Sequence, residues 1–195
     1  MLATQVNYYT KIYKKTKAMA GFKNREELQR KFKVILSKHT FSECVTEIAN
    51  LICYEELNVD ALNAIIYRHG ENIESLKDEL MDLILSHISL VLEDNIITDA
   101  ERYNVGILKL FFRVKEGDFY KHKYSDMKII IEQEMRRTYS NNFIDKDKAG
   151  YRYGIQEMFG LSYSQMGEFK ENEIRRALSE GACILNLDTD KVRRV

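Results

Sequence analysis

Asp94, Asp99 and Glu101, with Glu93 beside them, place hard oxygen ligands near one helix start, the donor type that Ca²⁺ or Mg²⁺ takes. The same residues have a simpler role. Acids in a first helical turn stabilise its dipole by roughly 0.3–1 kcal/mol each, and Glu101 closes a capping box with Thr98. We read them first as helix-start residues and second as a cation site. Asp145-Lys146-Asp147-Lys148-Ala149-Gly150 has the opening acids and the Gly of a calcium loop. It carries Ala149 and Gln156 where that loop needs oxygen ligands, and its two Lys repel a cation, so Asp145 reads as an N-cap. His39, His69, His87 and His122 show no zinc spacing. His87 lies in an apolar stripe and reads as a hydrogen-bonded core residue. Neither a phosphate-cradling Gly loop nor a Ser/His/Asp or Cys/His arrangement is legible, and we expect no enzyme.

A different chemistry is written near the start. Tyr8, Tyr9, Lys11, Tyr13, Lys14, Lys15 and Lys17 interleave rings and cations, as a surface that stacks bases and tracks phosphates does. An anionic membrane surface suits it equally. The plainer reading is an amphipathic first helix, with Tyr9, Ile12, Tyr13 and Thr16 on one face and Lys flanking it.

These side chains need helices to hold them. The spacing predicts helices over 5–20, 24–38, 41–56, 59–69, 73–93, 99–115, 124–139, 146–159 and 163–181. Thr40–Glu43, Thr98–Glu101 and Ser162–Gln165 each fit a capping box that starts one. Gly21, Gly70, Gly117 and Gly160 mark connections, and Asn58 and Asn95 suit caps or turns. A weak repeat appears at an offset of 47 residues. Asn95-Ile96-Ile97-Thr98 aligns with Asn142-Phe143-Ile144-Asp145, then Leu108 with Ile155, Phe111 with Met158 and Phe112 with Phe159. Each copy reads as a loop with an inward Ile, a cap and a helix, and stacking two such hairpins buries both stripes with pseudo-twofold symmetry.

The chain has 195 residues, 45% of them hydrophobic and 31% charged, with no Pro and nine Gly. That composition excludes disorder and collagen-like repeats and favours long helices with short connections. Thirty basic and thirty acidic residues cancel, but unevenly. Residues 1–40 hold ten Lys and Arg against two Glu, whereas residues 41–101 hold fourteen acids against two bases. The basic start packing beside the acidic middle accounts for this, and an arm for an anionic partner is the other account. Cys44, Cys53 and Cys183 form no CxxC, and free thiols suggest the cytoplasm. The apolar stretch Leu83–Leu92 is far short of the roughly 20 residues that span a bilayer.

Leu92-Glu93-Asp94-Asn95-Ile96-Ile97-Thr98-Asp99-Ala100-Glu101, between two apolar helices, is similar to the acidic-Gly-x-Ile-Ser-x-x-Glu type of motif in the TerB-like (tellurite-resistance protein B) family. Met158-Phe159-Gly160-Leu161-Ser162 resembles that family's Gly-Leu-Ser turn between helices. The resemblance covers about residues 76–182. It implies an all-helical bundle with an internal repeat, no established catalysis, and acidic residues that bind divalent metal. It also implies a place in stress response or phage defence, within larger assemblies at the membrane's inner side. Asp94 and Glu101 match its acidic positions, but Asn95 stands where it has Gly, and Asn141 and Lys148 occupy the acidic places of the second copy. A full pair of acidic sites is absent, which counts against metal binding. The expectation is therefore an all-α protein: an N-terminal helical region over 1–75, a TerB-like repeat bundle over 76–182 and a tail over 183–195. Its expected function is a non-enzymatic interaction module with a protein partner or assembly, and Ca²⁺ or Mg²⁺ as a possible ligand. The alternative is a nucleic-acid or anionic-membrane binder using Tyr9, Lys11, Tyr13, Lys14, Lys15 and Lys17.

Overall fold

The computed structural model describes residues 21–139 and 146–180. The first expected helix, the tail and most of the second copy's loop lie outside the described residues. Those described are all-helical, without a strand, and none of their helices is long and apolar enough to cross a membrane. In chain order the helices are α1 (Arg25–Lys38), α2 (Glu43–Tyr54), α3 (Val59–Arg68), α4 (Lys77–Leu92), α5 (Asp99–Phe111), α6 (Asp118–His122), α7 (Tyr124–Tyr139), α8 (Lys146–Phe159) and α9 (Tyr163–Ser179).

Local chemistry sets most helix starts. Thr98 accepts from the Glu101 backbone N–H while the Glu101 carboxylate accepts from Thr98, a reciprocal capping box at the head of α5. Ser162 and Gln165 do the same at the head of α9, at 2.8 and 3.2 Å. Asn58 caps α3 through Ala61 N–H. The expected box of Thr40 with Glu43 does not form. Ser42 is the cap, and Glu79 from α4 accepts from both its backbone N–H and its hydroxyl. A side chain distant in sequence thus fixes where α2 begins.

Helix ends explain a second departure. The chain leaves α8 through Gly160 at φ 63°, with Leu161 N–H donating to Gln156 O and Gly160 N–H to Glu157 O, the pair of bonds that defines a Schellman motif. Gly70 closes α3 in the same way at φ 67°. So does Arg113 at φ 54°, which ends α5 at Phe111 rather than at 115 and frees the chain for the short, unexpected α6. Arg113 and Gly160 stand 47 residues apart, so helix exits of the same form recur at that offset.

Gly70 and Gly106 offer a clean contrast, because an added methyl meets nothing within 4 Å at either. At Gly70 the positive φ makes Gly70→Ala cost about 1 kcal/mol, whereas Gly106→Ala, inside α5, gains about 0.5–1 kcal/mol. Urea midpoints of the two variants should move in opposite directions.

Contacts divide the described residues into two units, 21–90 with 98–115, and 91–97 with 116–180. In the first unit Leu28, Phe32 and Ile35 of α1, Ile48 and Ile52 of α2, Ile84 and Ile88 of α4, and Val105 and Leu108 of α5 are buried. Each set recurs at three- or four-residue steps, as an inward helical stripe requires. In the second unit Phe119 meets Phe159 edge to face at 5.9 Å, and Met127, Ile131, Ile155, Met166 and Phe169 are buried. Ile97 presses on α8 at Gly154, where a Cβ would lie 2.9 Å from its Cδ1.

Candidate functional site

Glu101 sits where α5 starts and faces α1. Lys31 on α1 is buried, and its ammonium donates to Glu101 Oε1 at 2.5 Å and lies 3.6 Å from Glu27. Thr98 donates to Glu101 Oε2 through both its N–H and its hydroxyl, at 2.9 and 2.8 Å. Burial pushes the Glu101 carboxyl up, but the bonds from Lys31 and Thr98 outweigh it and hold the group below its usual range. Nearby, the Asn104 amide clasps the Lys23 backbone, accepting from its N–H at 2.8 Å and donating to its carbonyl at 2.6 Å. Both oxygens of Glu101 are therefore engaged, one of them by a cation belonging to the protein.

Asp94 has a different task, in the second unit. Its Oδ1 accepts from Ile96 N–H at 2.9 Å, and Asn95 turns the chain at φ 61°. Asn tolerates this left-handed conformation, which otherwise favours Gly. Asp99 pairs with Arg102 one turn on.

These are the helix-start and turn roles that the sequence reading put first for Asp94 and Glu101, ahead of a Ca²⁺ or Mg²⁺ site. Such cations take six or more oxygen ligands, and each of these acids already completes a local structure. Among the described residues no three His, Cys, Asp or Glu side chains are grouped to hold a metal. Tyr9, Lys11, Tyr13, Lys14, Lys15 and Lys17 lie outside the described residues.

His87 on α4 is only 1% exposed, against Phe32 at a ring distance of 5.2 Å. The expected hydrogen bond is missing: neither ring nitrogen has a partner. Burial, reinforced by the Lys31 charge, pushes its pKa down to about 3, against the smaller opposing pull of Glu101 and Glu27.

The second unit holds a buried polar network and an open cleft. Glu134 on α7 accepts from Tyr151 Oη at 2.6 Å and from Arg137 Nη1 at 2.9 Å. Burial and the bond to Glu134 hold the Tyr151 phenol well above its ordinary range. The cleft, of about 410 Å³, is lined by Glu116, Gly117, Tyr153, Gln156, Glu157 and the 160–162 turn with Gln165. Gly117 N–H donates to Gly160 O at 3.0 Å, and Gln156 Nε2 to Leu161 O at 3.2 Å, which fixes its floor. Among the described residues its lining carries two carboxylates and no basic side chain. Tyr153 is 59% exposed and Tyr163, next to Ser162, is 78% exposed. The sequence reading passed over this cleft, because it depends on Gly117 meeting Gly160; only the Gly160-Leu161-Ser162 turn was legible.

No family model matches this chain, and no curated protein or solved structure does so either.

Proposed function

We propose that this chain is a non-enzymatic helical interaction module of the kind the TerB-like resemblance implies, working in stress response or defence by docking a protein partner. The observation that supports this reading is the cleft beside the α8–α9 turn, with the solvent-exposed ring of Tyr153 at its wall and Tyr163 adjoining it. Two large exposed tyrosines, one on α8 and one at the head of α9, supply contact area at low entropic cost beside a capped, hydrogen-bonded turn, a frequent trait of binding surfaces. Glu116 places a carboxylate on the cleft lining, which suits a Lys or Arg side chain of the partner lying over a Tyr ring. A bound cation forms no part of this reading, because Glu101 is held by Lys31.

Fluorescence anisotropy of labelled decapeptides tests it. An unstructured Arg/Lys/Gly/Tyr decapeptide should bind the wild type, and an Asp/Glu counterpart should not. Tyr153→Ser/Tyr163→Ser, whose rings are mostly in solvent, should weaken that binding at least tenfold while leaving the thermal midpoint within a few degrees. Equal binding by wild type and variant would remove the cleft from the function.

A further inference from the structure

We propose that His87 is an acid-operated release for α1. The imidazole is buried between α4 and Phe32 of α1, with no hydrogen-bond partner on either nitrogen. A neutral ring tolerates that place at a cost, and a protonated ring must bring a second cation into the region that already holds buried Lys31. Among the described residues, the charged groups whose fields reach the ring are Lys31 and Glu27 from α1 and Glu101 from α5. Both carboxylates are already paired with Lys31, at 2.5 Å for Glu101 and 3.6 Å for Glu27. An imidazolium therefore gains a counter-ion only by competing with the lysine that fastens α1 to α5. Either result loosens α1: the ring stays unpaired in an apolar core, or Lys31 loses its partner. Moving α1 away hydrates the ring and separates the two cations.

The sign follows from where the proton binds. With α1 open, His87 titrates near 6.5, its ordinary value; with α1 packed, it does so far lower. The open form therefore takes up a proton first, and opening becomes easier as pH falls below about 6.5. Between pH 7 and pH 5 the opening equilibrium should rise about 20–30-fold. Glu27 and Glu101, both held below the usual carboxylate range, titrate beneath this window.

Hydrogen exchange of the full chain at pH 7 and pH 5, with exchange times scaled for the intrinsic rate, tests the release. Amides of 25–38 should lose about 20–30-fold in protection at pH 5, while amides of α7 and α9 that exchange through openings leaving α1 packed keep theirs. His87→Leu and His87→Gln, one apolar and one polar but neither titratable, should each hold α1 protection within about threefold across the same range. No loss in the wild type, an equal loss throughout the chain, or the same α1 loss in either folded variant would each overturn the proposal. The wild-type comparison decides by itself should both variants fail to fold.

Discussion

Glu101→Ala is expected to destabilise the protein by about 3–5 kcal/mol. The substitution removes the 2.5 Å partner of Lys31, whose side chain is only 7% exposed, and strands a cation with the more distant Glu27. It also takes away the carboxylate that accepts from Thr98, half of the box that starts α5. Loss of that half alone costs about 1 kcal/mol. The double variant Lys31→Met/Glu101→Met should lose far less than Glu101→Ala, because no charge is left behind in the core. Urea unfolding of the two single variants and the double gives the coupling directly. A coupling of about 2 kcal/mol or more is expected, and additive losses would mean that Glu101 acts without Lys31.

The second large effect concerns His87. His87→Leu should raise stability at pH 7 by about 1–2 kcal/mol, since it removes two buried nitrogens that have no partner and replaces them with a group of similar volume. Its pH dependence is the sharper sign. The folded ring is pushed down to about 3 and the unfolded one titrates near 6.5, so the unfolded chain binds more protons between those values. Stability is then fully present above about pH 6.5 and is lost as pH falls toward 3. Between pH 7 and pH 5 the wild type should lose about 2 kcal/mol through this one group, and the Leu variant should not. Denaturant titrations at three pH values check both statements. A wild-type curve as flat as the variant's would mean the ring finds a proton acceptor or water when folded.

Much of the fold was legible because it rests on short-range rules. The Thr98–Glu101 and Ser162–Gln165 boxes, the Asn58 cap and the glycine exits at 70 and 160 depend on neighbours a few residues apart. Where a distant partner intervened, local spacing misled: Glu79 moves the α2 cap from Thr40 to Ser42. Arg113 hid the end of α5, because a residue other than Gly at positive φ leaves no mark in sequence. The candidate site was harder still. Glu101 was legible as a capping-box residue, but not as the partner of Lys31, which lies 70 residues away on another helix. His87 was legible as a core residue from its apolar stripe, but its lack of a hydrogen bond follows from packing alone. The cleft needs Gly117 to meet the Gly160 carbonyl, a contact no periodicity announces.

A ¹⁵N-resolved NMR titration of the full chain, first with Ca²⁺ and then with the Arg/Lys/Gly/Tyr decapeptide, tests the account most directly. Ca²⁺ should leave the amides of 93–101 in place, because Asp94 and Glu101 are engaged within the protein. The peptide should move Gly117, Tyr153 and the amides of 160–165, saturably and to one binding curve. A saturable Ca²⁺ shift over 94–101, or peptide shifts that avoid the α8–α9 turn, would contradict it.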